Sequence, residues 1–167
     1  CSTVMGSRFL RRKLLNPITN IDILNSYYQM TDDLMKDKNN IIDDIGKILS
    51  KLPDIQRLQR LIQLDLINPK DFTSLLRGYC KVLQLNELLS NSQMKSFEQI
   101  LIKSGDLQAF EDKFKQLTTV LNLEHLAKVK YKTATRCTPA VLQCKDNFVN
   151  VGYYKHIDDI HNKNVEY

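Results

Sequence analysis

Apolar residues along this chain recur mostly three and four positions apart, the period of one helix face. Met5, Phe9, Leu10 and Leu14 make the first such set, with Thr3 as its cap, and Asn16-Pro17 stops it because proline disfavours helix in the residue before it. Asn20 caps a second helix whose Leu24, Tyr27, Tyr28, Thr31, Leu34 and Met35 mark a core face over three turns. After the polar loop KDKNN (36–40), Ile41, Ile42, Ile45, Ile48 and Leu49 repeat the pattern as far as Pro53. Asp54 opens a fourth run, with Ile55, Leu58, Leu61, Ile62 and Leu66 on its apolar side. Asn68-Pro69 then reads as a cap followed by proline at the first helical position, leading into Phe72, Leu75, Leu76, Tyr79 and Leu83. A sixth set is Met94, Phe97, Ile100 and Leu101; after the punctuation Ser104-Gly105-Asp106 comes a seventh, Leu107, Phe110, Phe114, Leu117 and Leu121.

From Lys128 the pattern turns to β-branched residues alternating with polar ones. Two short strand-like runs, Val141–Cys144 and Phe148–Val151, are separated by Asp146-Asn147. Gly152 closes this stretch, and Tyr153, Ile157 and Ile160 begin an eighth helix that runs to the last residue, Tyr167. The prediction is an all-α, multi-helix bundle with a small β-hairpin or extended segment near 137–151. Its parts are a helical core over 1–127, an extended segment over 128–152 and the start of a long helix over 153–167. No repeat at a fixed period of 30 to 50 residues points to a solenoid.

A length of 167 residues fits one domain or a piece of a larger protein, and a start at Cys1 suggests the latter. The absence of Trp, with only 5 Gly and 4 Pro, favours helices over turn-punctuated strands. A net charge of +5 invites a nucleic-acid reading, but it divides into about +3 before Asn91 and about +2 after it, which is no footprint. Neither an 18-residue apolar run nor a signal-peptide pattern occurs, so no membrane association is expected. Cys1, Cys80, Cys137 and Cys144 contain no C-x-x-C and read as reduced structural thiols of an intracellular protein. His156 and His161 are five apart, wrong for ligands on one helix face.

No phosphate cradle, nucleophile elbow or metalloprotease motif occurs, so no catalytic residue, cofactor site or metal site is expected in this chain. Asp32-Asp33, Asp43-Asp44 and Asp158-Asp159 are adjacent pairs, which a helix points about 100° apart, and they read as solvated faces. Arg8, Arg11 and Arg12, at i, i+3 and i+4, form a basic face opposite Met5, Phe9 and Leu10. That face suits duplex phosphates, but it reads first as a solvent-exposed or interdomain ion-pairing face. Lys128, Lys130, Tyr131 and Lys132 could track a nucleic-acid backbone or guard a strand edge.

Residues 3–34 resemble the opening of the core domain of the MutS family of DNA mismatch-repair ATPases, T-x-M-G-x-R-L-L-R-R-W-L-x-x-P-L followed by I-N-x-R-L-D-A-V-E-x-L. Thr3, Met5, Gly6, Arg8, Leu10, Arg11, Arg12, Leu14, Pro17, Asn25 and Leu34 match as they stand. LPDIQRLQRLI (52–62) is similar to P-D-L-E-R-L through Pro53, Asp54, Arg57 and Leu58, and VGYYKHIDDI (151–160) to G-Y-N-x-x-L-D-x-L through Gly152, Tyr153 and Asp158. The family's tryptophan is Lys13 here and its arginine in the following helix is Tyr27, departures that suit a divergent branch such as a viral or organellar one. The resemblance implies the first segment of the core, or lever, domain, with the helix from Tyr153 as the root of a lever. It also implies a parent protein with connector, clamp and ATPase domains. That parent would grip duplex DNA, act as a homo- or heterodimer, and use ATP and Mg at a site outside this chain. Gly152, between strand-like and helical segments, would be a pivot.

Overall fold

The computed structural model describes residues 1–37, 40–92, 94–132, 141–143 and 147–165. Among them eight α-helices and one short two-stranded sheet are formed, so the all-α expectation holds. The chain divides into two compact units, Cys1–Leu64 with Leu75–Lys103, and Asp65–Ser74 with Ser104–Tyr167.

The first unit holds α1 (Val4–Leu15), α2 (Ile21–Lys36), α3 (Ile41–Leu49), α4 (Ile55–Gln63) and α5 (Pro69–Asn91) from Leu75 onward. Three helix starts are capped by the residues the sequence nominates. Thr3 Oγ1 accepts from the Gly6 amide at 2.9 Å, Asn20 Oδ1 from Ile23 at 3.1 Å, and Asp54 Oδ1 from Arg57 at 3.2 Å. Each satisfies one of the amides that a first helical turn leaves unpaired. Helix α3 is capped differently: Asn40 takes a left-handed conformation, and Asp37 Oδ2 reaches the Ile41 amide at 2.9 Å. Ile41, Leu58, Leu75, Leu76, Leu89 and Phe97 are the buried apolar residues of this unit.

Two expectations fail here. The apolar faces of α1 and α2 are not core: neither helix has a buried residue, Leu14 is 74% exposed and Met35 76%. Periodicity shows that a helix has an apolar face, not that this chain covers it. The Met94–Leu101 set is a single 3₁₀ turn, Lys95–Phe97, because only Phe97 finds a place to bury while Ile100 stays half-exposed. Its follower, Ile102, donates its amide to Asn86 Oδ1 of α5 at 2.9 Å, which pins the connection instead of extending a helix. Helix α5 itself runs eight residues past Leu83, the last position of its expected face.

In the second unit, Asn68 caps α5 as foreseen, its Oδ1 accepting from the Asp71 amide at 2.8 Å while its Nδ2 donates to Asp71 Oδ2 at 2.7 Å. Ser104-Gly105-Asp106 is not punctuation but the first turn of α6 (Ser104–Val120). A helix absent from the sequence reading, α7 (Leu123–Lys128), is nucleated by Asn122, whose Oδ1 accepts from the amides of both Glu124 and His125 at 3.1 Å. In the segment near 137–151, read as a hairpin or an extended segment, β2 (Val141–Gln143) pairs antiparallel with β1 (Lys130–Lys132), which lies before it. Val149 bridges Leu121 instead, and Asn150 Nδ2 donates to the carbonyls of Thr118 and Thr119 at 3.3 and 2.8 Å. The free carbonyls at the end of α6 outcompete a local hairpin for this segment. Helix α8 (Lys155–Val165) closes the described chain. Cys137 and Cys144 lie outside the described residues; Cys1 and Cys80 are free thiols.

A tight contact in the first unit involves no charge. A methyl group built on Gly78 of α5 would lie 2.8 Å from Pro53 Cγ and 3.3 Å from Ile55 Cγ1, so the glycine is the notch that admits the turn into α4. Gly78→Ala is therefore expected to destabilise the chain by about 1–3 kcal/mol in urea unfolding, through overpacking against a rigid ring. Gly46→Ala, inside α3 where a methyl meets nothing within 4 Å, is expected to stabilise it by about 0.5–1 kcal/mol.

Candidate functional site

The residues of the first two sequence blocks converge on the turn that opens α4. Arg8, on the second turn of α1, lays its guanidinium on the Asp54 carboxylate in a two-point fork, Nη1 to Oδ2 at 2.7 Å and Nη2 to Oδ1 at 2.8 Å. Nη2 also donates to Gln56 Oε1 at 3.0 Å. Asp54 is thus a helix cap and an ion-pair acceptor at once, and its side chain is only 17% exposed against 48% for Arg8. The fork matches the planar geometries of both groups, the arrangement in which a semi-exposed pair has most effect. The hydrogen bond from Arg8 is the main cause holding the Asp54 carboxyl below its usual range; burial opposes the shift, and the Arg57 amide adds to it. Pro53 seats on Gly78 immediately before this carboxylate, so the Pro53-Asp54 pair ties together α1, α4 and α5.

Arg8 therefore does not belong to a free basic face; its charge is matched inside the unit. Arg11 and Arg12 are exposed, the Arg12 guanidinium lying 5.7 Å from the Phe9 ring centroid. Met5 and Gly6 are half-buried on the docked side of α1, Pro17 is exposed in the turn to α2, and Arg57 gives the cap its backbone amide. Lys128 is exposed at the end of α7, and Lys130 and Lys132 lie on β1. The third block forms a local lock. Gly152 has φ +89°, which an L side chain rarely adopts, and its amide donates to Asp158 Oδ2 at 2.8 Å across the start of α8. Asp158 is thereby a capping acceptor as well as part of a solvated acid pair. Tyr153 and Tyr154 meet edge to face, 4.9 Å between centroids.

Sequence reasoning missed Gln56 and Gly78. Gly78 had a signal, a glycine inside an otherwise strong helix pattern, whereas Gln56 had none. No group of three or more His, Cys, Asp or Glu side chains able to hold a metal exists among the described residues. None of the described helices is long and apolar enough to cross a membrane.

A helical domain whose family-pattern residues form joints between helices defines the class, and the comparisons agree. The family model MutS domain III matches residues 1–136, and the chain belongs to that family. The third block lies beyond the matched span. DNA mismatch repair protein MutS of Anaplasma phagocytophilum is 27% identical over 104 residues, covering 62% of this chain and 13% of that protein. The MutS of Aquifex pyrophilus is 29% identical over 98 residues, 59% and 11% respectively. DNA mismatch repair protein MSH6 of Saccharomyces cerevisiae is 27% identical over 93 residues, 56% and 7%. The chain thus corresponds to a small part of each of these relatives. No solved structure matches it.

The two departures from the family pattern face each other. Lys13 Nζ lies 5.8 Å from the Tyr27 ring centroid and 5.3 Å from that of Phe9. Where the pattern has an aromatic on the first helix and a cation on the second, this chain has the cation on α1 and the aromatic on α2. Lys13 and Tyr27 thus make a cation–π contact between α1 and α2.

Asp54 generates a pH dependence. A carboxyl whose pKa is depressed on folding adds stability that is complete above its unfolded value of about 4 and is lost as pH falls through the folded value. The difference in urea midpoint between the wild type and Asp54→Asn, which can keep the cap, is expected to be largest above about pH 5 and to shrink as pH falls through the depressed folded value. A pH-independent difference would assign the effect to packing. For the exchanged pair, Lys13→Trp with Tyr27→Arg is expected to exceed the sum of the single variants by about 0.5–1 kcal/mol in a double-mutant cycle. Strict additivity would mean that the two side chains do not interact.

Proposed function

We propose that this chain is a structural transmitter in a longer mismatch-repair protein, coupling a grip on duplex DNA to an ATP site in a separate domain. The observation that supports this reading is the use of the family-pattern residues. Arg8, Pro53 and Asp54 are spent on a joint between helices, and Gly152 and Asp158 on the entry to α8, rather than on a solvent-facing reactive group. Helices joined at such points have discrete packings, and a body with discrete packings can couple two ligands if each favours a different one. Connector, clamp and ATPase domains are the neighbours in this reading. The parent works inside the cell as a homo- or heterodimer and uses ATP with Mg outside this chain. Gly152 is the pivot at the root of a lever.

The test uses the full-length protein. Asp54→Asn and Gly152→Ala are each expected to leave DNA-free ATP hydrolysis near the wild-type rate and to reduce its response to mismatched duplex by about fivefold or more. Unchanged coupling in both variants would overturn the proposal. Tight, steeply salt-dependent binding of duplex DNA by the 167-residue chain alone would replace it with a stand-alone nucleic-acid-binding module.

A further inference from the structure

The two sides of Gly152 are held very differently. Upstream, the segment 147–150 is strapped down along its length. His125 Nδ1 lies 3.0 Å from the Asn147 carbonyl oxygen, Asn122 donates its amide to the Phe148 carbonyl at 2.8 Å, and buried Val149 bridges Leu121. Asn150 ends the strap with its amide on the Val120 carbonyl at 2.8 Å and its Nδ2 on the carbonyls of Thr118 and Thr119. The chain then turns: Tyr153 donates its amide to the Asn150 carbonyl at 3.4 Å, and Gly152, third of the four residues, has φ +89°, as a type II turn requires. Downstream, no residue of α8 whose exposure is described is buried, and Asp158 alone is half-buried. Among the described residues, α8 reaches back across Gly152 through one bond, Asp158 Oδ2 accepting from the Gly152 amide at 2.8 Å on the exposed surface.

We propose that Asp158 is a latch on the Gly152 pivot: while its carboxylate holds the Gly152 amide, α8 leaves the strap in one direction, and when it lets go α8 swings about Gly152 with the strap still in place. This rests on the transmitter reading and names the group that regulates its pivot. Detaching the strap breaks several hydrogen bonds together and exposes Val149. Releasing α8 breaks a single surface bond and uncovers no buried side chain of that helix among those described. Local opening is easiest where the fewest bonds and buried contacts are lost, so the joint opens at Gly152 first. Glycine has no side chain to oppose either the held φ or the values reached on release.

Amide hydrogen exchange, read by NMR on the isotope-labelled 167-residue chain, measures the latch directly. Asp158→Ala is expected to speed exchange at the Gly152 amide by about tenfold and to leave the Asn150 amide, which reports that the strap is folded, within about twofold of wild type. Residues 152 and 158 are not neighbours in sequence, so the substitution leaves the intrinsic exchange rate of Gly152 alone. Asp158→Asn keeps an acceptor oxygen and should restore most of the protection. Backbone order parameters over residues 153–160 should fall in Asp158→Ala and not in Asp158→Asn. In the full-length protein Asp158→Ala should cut the response of ATP hydrolysis to mismatched duplex by about fivefold, and Asp158→Asn should retain it. An unprotected Gly152 amide in the wild type overturns the proposal, as do equal effects of the two variants. So does loss of protection at Asn150 together with Gly152 in Asp158→Ala, which would make strap and α8 one cooperative unit. The exchange is measured without ATP or DNA, so its failure leaves the coupling tests of the transmitter reading standing, and their failure leaves the exchange result standing.

Discussion

The Asp54 carboxylate is the point on which the first unit depends. One oxygen closes the open turn of α4, and both receive the Arg8 fork from α1, 46 residues away in the chain. A single side chain thus fixes where one helix begins and where another lies. Pro53 adds the third direction: its ring enters the notch at Gly78, so α5 is held at the same turn without any hydrogen bond. Truncating the side chain would remove the cap acceptor and the partner of the guanidinium at once, so the two interactions are coupled.

Helices α1 and α2 meet through a cation over an aromatic face. Lys13 of α1 supplies the cation and Tyr27 of α2 the ring. The flat body of Phe9 shares the Lys13 ammonium, so a long flexible side chain can serve two rings.

The second unit is organised by backbone groups instead of charge. The end of α6 offers carbonyls, and Asn150 takes two of them with its side-chain amide while its own backbone amide bonds Val120 at 2.8 Å. Asn122 answers by capping α7 and donating its amide to Phe148 at 2.8 Å. The segment from Asn147 to Asn150 is therefore a strap over a helix end, and it delivers the chain to Gly152 and the start of α8. Helix α8, set on hydrogen bonds of this kind, starts from a defined direction.

Most helices were legible from the sequence, because period, cap and proline act within a few residues: Thr3, Asn20, Asp54 and Asn68 each bond an amide three positions on. Two of the three sequence blocks could be matched to a family, but nothing local revealed that Arg8 and Asp54 meet, since 46 residues separate them. Which acceptor Arg8 of the basic face meets was hidden for the same reason: a charge's partner is a tertiary fact. So is burial. An apolar stripe states only that a face avoids water, and whether this chain or another molecule covers it depends on packing, as exposed Leu14 and buried Leu76 show. Strand partners were hidden likewise, because Val141–Gln143 and Val149 each pair with residues outside the 137–151 segment. Short-range chemistry determined the elements; the tertiary structure decided their joints, because pairing and burial depend on which distant groups come within reach.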